Sequence, residues 1–334
     1  VPNWLIVSVA FLTSSAVALA AVGMLLPKLR AWQVMDVPNA RSLHTKVTPR
    51  GGGLGVLLTV LPGWLLVWWF TDQLIPNAAV VAAAALLAAV CWIDDVRTIG
   101  PAVRFGVQVI VVLVGLSALT ETQFVFAGYL PWFADRLLAA LCWLWFINLF
   151  NFMDGIDGLA ATETIAVCLG VALLAFFGPA APVFAVEAII VTGAALGFLW
   201  WNWSPAKVFL GDVGSAPIGF LVGFLLIKLA ISGYLIAALV LPLYFVADAT
   251  ATLFRRLRRG AKVWEAHREH AYQKAAQAGM THRRIVGVVA LANLSLIGLA
   301  WLSMHQALIA AIAAMLVVVG LLRYLSTRAE RQVS

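Results

Sequence analysis

Apolar residues run through this chain in blocks of about 20, each closed by a short polar break, instead of alternating with polar ones along amphipathic stretches. A block of that length is what a helix rising about 1.5 Å per residue needs to cross roughly 30 Å of hydrocarbon. The blocks predict about eleven spans, at 4–26, 52–70, 76–93, 102–119, 136–150, 159–178, 182–200, 214–231, 234–254, 285–303 and 306–322. Trp4 to Leu26 reads as a retained first span and not as a cleaved leader, because neither a basic segment nor a clear small-residue cleavage site accompanies it. The expected fold is an all-α integral membrane protein, with residues 1–334 forming a single polytopic membrane domain.

Composition strengthens this reading. The chain is 63% hydrophobic and 11% charged, and its mean hydropathy of +0.98 lies outside the range of water-soluble cores. Cys91, Cys142 and Cys168 sit in apolar runs without metal-ligand spacing and read as buried, reduced thiols.

Charge gives the expected orientation. Segments 27–51, 94–104, 201–213 and 255–284, with the tail after 322, contain 20 of the 22 lysines and arginines; Arg136 and Lys228 are the exceptions. Basic loops stay in the cytoplasm, so these segments and the C-terminus are expected inside and the N-terminus in the periplasm. No nucleic-acid-binding module is visible. Anionic lipid head groups and phosphorylated substrates therefore fit the net charge of +7 better than nucleic acid.

On that orientation Asp94, Asp95, Asp154, Asp157 and Asp212 all fall at cytoplasmic helix ends, in three stretches distant in sequence, which predicts one site assembled at that face. Glu187 lies within a span, expected without comparable company. Asp72, Glu121 and Asp135 read as solvated outer charges. NLFNFMDGIDGL, residues 148–159, is the most costly of the polar stretches to keep in an apolar protein. Read as helical neighbours, Asp154 and Asp157 repel by roughly 3 kcal/mol at ~5 Å and an effective dielectric of about 20, which a cation, a proton or an arginine must offset. In NWSPAKVFLGDVGS, residues 202–215, Asp212 is either a magnesium ligand, since that ion takes one or two carboxylates with substrate phosphates, or a helix cap. In the first loop, residues 36–55, Asp36, Asn39, Arg41, His44 and Arg50 precede a Gly51–Gly53 run that is able to offer backbone N–H groups to an anion. The basic loop 255–284 is the expected substrate-recognition element: Arg255, Arg256, Arg258 and Arg259 read as orientation anchors, and Arg268, His270 and Tyr272, beside Trp264, as a clamp for a nucleotide diphosphate. His267 and His282 read as ordinary loop histidines.

Five motifs in this order resemble the polyprenyl-phosphate N-acetylhexosamine-1-phosphate transferases: PNARSLH with PRGGG, DDVRTIGP, NLFNFMDGIDGL, VFLGDVGS, and the last basic loop, with Asp248 matching a recurrent aspartate near the end of the ninth span. The resemblance covers nearly the whole chain. It departs in HREHAYQ, where His270 matches the first histidine of a cluster and Tyr272 and Gln273 replace the others, a form similar to the branch that starts O-antigen chains with N-acetylated 6-deoxyhexosamines.

The resemblance implies transfer of a sugar 1-phosphate from a UDP-N-acetylhexosamine to undecaprenyl phosphate in the bacterial inner membrane, with Mg²⁺, or Mn²⁺ in its place. It implies Asp212 and Asp95 at the metal and Asp94, Asp95, Asp154 and Asp157 as the catalytic carboxylates. Asn39, Arg41, His44, Arg104, Asn148, Asn151, Asn202, Lys207, Arg268 and His270 are the implied substrate contacts. Homodimers occur in the family. The rival reading from another class is an ion-coupled transporter, because carboxylates also line transport pathways; transporters place them near the membrane midplane.

Overall fold

The computed structural model describes residues 4–38, 42–97, 99–178, 182–262 and 267–330. Asn39, Arg41 and Trp264, all singled out above, lie outside the described residues. The chain forms α1 (Trp4–Ala31), a minimal hairpin β1 (Met35–Asp36) and β2 (Thr48–Pro49), then α2 (Gly53–Phe70), α3 (Leu74–Val96), α4 (Pro101–Ser117), α5 (Trp132–Met153), α6 (Leu159–Phe177), α7 (Pro182–Asn202) and α8 (Asp212–Leu229). There follow α9 (Leu235–Val240), α10 (Leu243–Arg258), the short α11 (Ala271–Gln277), α12 (His282–Leu302) and α13 (Ala307–Glu330). Among the described residues nine helices are long and apolar enough to cross a membrane, and α4 is a shorter apolar one. The protein is an all-α, multi-pass integral membrane protein. Helices are forced here because hydrocarbon offers backbone groups no partner outside the segment itself.

The expected ninth span, 234–254, is corrected. Gly233 takes a left-handed φ of 92°, and Leu241–Pro242 form a turn between α9 and α10. Proline has no N–H to continue a helix, and hydropathy is blind to that break. α10 is amphipathic and ends in Arg255, Arg256 and Arg258.

α8 is the axis of the bundle, buried along nearly its whole length, while α1 and α13 face outward over much of theirs. Lipid tails are as apolar as leucine, so close fit holds such a bundle together more than exclusion from water does. The fit is explicit around Trp143: its indole stacks on Phe220, with centroids 4.7 Å apart, and donates to the Phe220 carbonyl at 2.9 Å. Gly115 and Gly223 flank it because a Cβ at either position would strike the ring.

Three expectations about polar groups change. Glu187 is fully buried and well partnered: it accepts from Lys228 Nζ at 2.6 and 2.8 Å and from Trp68 Nε1 at 2.7 Å. Asp135, expected in solvent, is also fully buried and accepts from the amides of Val125 and Phe126, at 3.0 and 2.8 Å, to close the loop before α5. Of the thiols, Cys91 and Cys168 are buried but Cys142 is exposed.

Candidate active site

The polar stretches converge at one pole of the bundle, and three local structures account for the convergence. Gly51, with φ of 106°, turns the chain so that the amides of Gly51 and Gly52 donate to the Phe209 carbonyl and that of Gly53 to Leu210, at 2.9–3.1 Å. These N–H groups are therefore not offered to an anion, which corrects the expectation for the glycine run. The glycines are there for contact: Gly53 lies against Gly214 with no room for a Cβ. The second structure is Gly211, φ 77°, which sets Asp212 at the first turn of α8. The third is the loop 154–158 between α5 and α6, closed by Gly158 at φ 79°. Asp154 and Asp157 lie in this loop and not on one helical face.

The first turn of α8 is capped from a distance. The Asp95 carboxylate accepts from the amides of Val213, at 3.0 Å, and Asp212, at 3.4 Å, satisfying donors a helix start leaves open. Arg50 stands 3.6 Å from the same carboxylate and donates to the Asp95 carbonyl. Arg104 joins two motifs with one nitrogen, Nη1, 2.6 Å from Asp94 Oδ2 and 2.6 Å from Asp212 Oδ2. Asp94 also accepts from the Ile99 amide at 2.7 Å. Asn151 Nδ2 donates to Asp212 Oδ1 at 2.9 Å and to Ser215 Oγ at 2.7 Å.

Asp154 differs from its neighbours. Among the described residues no hydrogen bond reaches its carboxylate, and burial, with the charges of Asp212 and Asp95, pushes its pKa up to about 7. Asp157 is held below the usual carboxylate range although burial opposes it, by His282, whose Nδ1 is 3.3 Å away, by Ser204 and by the Ala206 amide at 3.2 Å. The repulsion expected between Asp154 and Asp157 is thus resolved differently at each: His282 offsets Asp157, and a proton or a cation is left to offset Asp154.

These groups surround a polar cavity of about 240 Å³, whose lining includes His44, Arg50, Asp95, Asn151, Asp154, Asp157, Asn202, Asp212, Gln273 and His282. Asn202 is buried and fixes the cavity floor, accepting from the Gly158 amide at 2.8 Å and donating to the Val208 carbonyl at 3.0 Å. A separate apolar groove of about 560 Å³ runs between α4, α5 and α10, along Phe105, Trp145, Asn148, Phe152, Phe254 and Leu257. Arg104 precedes Phe105 in α4 and pairs with Asp212, which lines the cavity.

Other expected contacts lie elsewhere. Asn148 donates to Gln108 and to the Leu144 carbonyl and lines the apolar groove. Lys207 lies over the Trp201 ring at 5.2 Å, outside the cavity. His270 is 1% exposed; it begins α11 with a reciprocal side-chain cap with Gln273, and stacks on Tyr272. Its ring is packed between His267 and Tyr272. Neither it nor Arg268 lines the cavity. Arg256, read as an anchor, is buried and pairs with Glu269. Of the cavity residues, sequence reasoning takes Arg50 only as part of the first loop's anion site, His282 as an ordinary loop histidine and Gln273 as the replacement of a histidine. The available signal was position: Arg50 directly precedes the glycine run, and His282 follows the N-cap Thr281.

Hard oxygen donors suit magnesium. Among the described residues no three His, Cys, Asp or Glu side chains form a ready metal cage, so a cation here would rest on one or two carboxylates and on oxygens of a ligand. Asp212, a third exposed, and the unsatisfied Asp154 fit that role; Asp95 is occupied in capping α8.

Fold and site together define an integral membrane protein with a polar, carboxylate-lined site at one pole, beside an apolar groove. Residues 77–230 match the model of glycosyl transferase family 4. Over 268 residues the chain is 26% identical to the probable undecaprenyl-phosphate N-acetylglucosaminyl 1-phosphate transferase of Bacillus subtilis, covering 76% of this chain and 73% of that protein. It is 27% identical to the undecaprenyl-phosphate alpha-N-acetylglucosaminyl 1-phosphate transferase of Escherichia coli K12, covering 78% and 73%. With the decaprenyl-phosphate N-acetylglucosaminephosphotransferase of Mycolicibacterium smegmatis it shares 28% identity, covering 82% and 76%. The matched region is thus similar to glycosyl transferase family 4, and the three relatives named here are polyprenyl-phosphate transferases of N-acetylglucosamine phosphate.

Proposed function

We propose that the protein transfers an N-acetylhexosamine 1-phosphate from a UDP-sugar to undecaprenyl phosphate at the cytoplasmic face of a bacterial inner membrane, releasing UMP. The observation that carries this reading is a polar cavity lined by carboxylates beside an apolar groove: Arg104 pairs with Asp212 of the cavity and with Asp94, and the next residue, Phe105, lines the groove. A water-soluble donor suits the cavity and a polyprenyl tail suits the groove, which brings the acceptor phosphate to Arg104 and Asp94.

Donor and acceptor are both anionic, so their approach needs positive charge. Arg104 and Arg50 supply part of it. We assign a divalent cation, Mg²⁺ or Mn²⁺, to Asp212 with Asp154; when bound it would neutralise diphosphate charge and stabilise the departing phosphate. Asp95 holds the Asp212 turn in place. Asp94 fixes Arg104 and keeps the acceptor phosphate ionised, which asks for little basicity because a phosphate's second pKa is about 6. The relatives named above favour N-acetylglucosamine as the sugar; a 6-deoxy N-acetylhexosamine for O-antigen assembly is the alternative that HREHAYQ supports.

Purified protein incubated with undecaprenyl phosphate, Mg²⁺ and a panel of UDP-sugars should release UMP and form lipid-linked sugar phosphate with one of them. No UMP release with any member of the panel overturns the proposal. An ion-coupled transporter is disfavoured by the position of the carboxylates at one pole, away from the middle of the bundle.

A further inference from the structure

His282 lines the cavity and offsets Asp157. It opens α12 just after the N-cap Thr281, whose hydroxyl accepts from the Arg284 amide at 3.3 Å. Arg283 Nε donates to the Ser204 carbonyl at 2.7 Å, pinning this end of α12 to the 203–207 loop. On the same wall Asp157 Oδ2 lies 3.3 Å from His282 Nδ1 and accepts from the Ala206 amide. Three segments distant in sequence thus meet at one carboxylate and one imidazole. Their side chains are 9% and 15% exposed, and both line the cavity.

A carboxylate at Nδ1 fixes the proton on that nitrogen and the orientation of the ring. The second nitrogen, Nε2, has no hydrogen-bond partner among the described residues. A ring held at one nitrogen and open at the other, on the wall of a polar cavity, is built to meet a ligand. The structure also indicates which ligand. The cavity and the apolar groove share no lining residue, and no residue of α12 or of the 203–207 loop lines the groove, whereas His282 and Asp157 both line the cavity.

We infer that His282, oriented by Asp157, is a binding residue for the water-soluble sugar nucleotide, contacting it through Nε2 and making no contact with the lipid acceptor. The inference rests on the transferase reading. It moves donor recognition in the last basic loop from the packed His270 to a histidine that faces the cavity, alongside Gln273.

The test uses the full chain in nanodiscs, with KM measured separately for the UDP-sugar and for undecaprenyl phosphate. His282→Ala should raise the donor KM about tenfold or more, the cost of one hydrogen bond to a charged or polar group, and leave the acceptor KM within about twofold. Two near-isosteric variants separate binding from bracing. His282→Gln keeps a polar atom near Nε2 and should restore the donor KM to within about threefold, whereas His282→Asn keeps one near Nδ1, facing Asp157, and should behave like alanine. Rescue by Asn and not by Gln would make the residue a brace for Asp157 and overturn the inference. So would a donor KM unchanged in all three variants, or an acceptor KM that rises equally. If the unsubstituted protein turned over no sugar nucleotide, the transferase reading itself would fall, and the inference with it.

Discussion

Two clusters of charge join distant helices in this protein, and they are built on opposite terms. Glu187 and Lys228 form a fully partnered pair: the carboxylate takes two contacts from the ammonium and one from Trp68, and the ammonium lies over the rings of Phe184 and Phe224. At the site pole Asp94, Asp95, Asp154 and Asp212 face two guanidiniums, Arg50 and Arg104. There Asp154 is left without a hydrogen bond among the described residues, its pKa raised to about 7. The first cluster is complete and serves packing. The second has excess negative charge that a cation would relieve, and the fold tolerates that excess because it has the turn of α8 and the 154–158 loop to hold it in place.

Asp212→Asn breaks the site cluster where it matters most. Turnover should fall by about 10³-fold, the scale of losing a key electrostatic contact in phosphoryl transfer. Thermal stability should change by less than about 1 kcal/mol, because the carboxylate is partly exposed and its loss also relieves repulsion. A large stability loss in a melting assay would show that Asp212 is structural.

Lys228→Met should do the reverse. It strands a buried carboxylate and should destabilise the protein by about 3 kcal/mol in unfolding measurements, with the kinetics of the folded enzyme unchanged. The double variant Glu187→Gln/Lys228→Met should recover most of that loss. If the double variant melted as low as the single, the pair would not be self-contained.

Smaller effects should follow from the clasp on α11. Asp248 accepts the Ala271 amide with both oxygens, at 2.9 and 3.1 Å. Asp248→Asn removes the charge from that cap and should cost about 1–2 kcal/mol, visible as faster hydrogen exchange over 267–277 and, through Gln273 on the cavity wall, a higher donor KM. Protection unchanged over that segment would dissociate Asp248 from it.

The smallest is a pH effect. Burial, aided by His270 and Arg256, lowers the His267 pKa from the usual 6.5 to about 4. Below pH 6.5 the unfolded chain takes a proton that the folded loop refuses. Stability of the loop is therefore intact above 6.5 and falls as the pH drops toward 4. Hydrogen exchange over 267–277, expressed relative to the intrinsic amide rate at each pH, should quicken severalfold between pH 7 and 5, and His267→Gln should flatten that dependence. An equal acceleration in the variant would assign it to another group.

Legibility in the sequence followed the range of the interaction. The span expected at 52–70 is α2 at Gly53–Phe70, and that at 159–178 is α6 at Leu159–Phe177, because crossing hydrocarbon depends on local composition. The break at Pro242 escaped because an apolar average does not register a missing N–H. Within the site, Asp154, Asp157 and Asp212 were legible as charges too costly to lack a purpose, and they do line one cavity. Their roles diverged for reasons outside their own motifs. Asp157 is offset by His282 from α12, and Asp95 caps α8. His270, attractive in a basic loop, is packed under Tyr272, while His282, unremarkable beside two arginines, faces the cavity.

By itself the sequence determined the membrane-embedded helices, the polar stretches that interrupt them and the chemistry those stretches bring, since each is a property of a few consecutive residues. The tertiary structure alone decided which carboxylates are satisfied and which one is left exposed to its neighbours' charge. Partnership at 2.6 Å between Arg104 and Asp212, or between Lys228 and Glu187, depends on how whole helices pack, and small-residue contacts such as Gly53 against Gly214 set that packing.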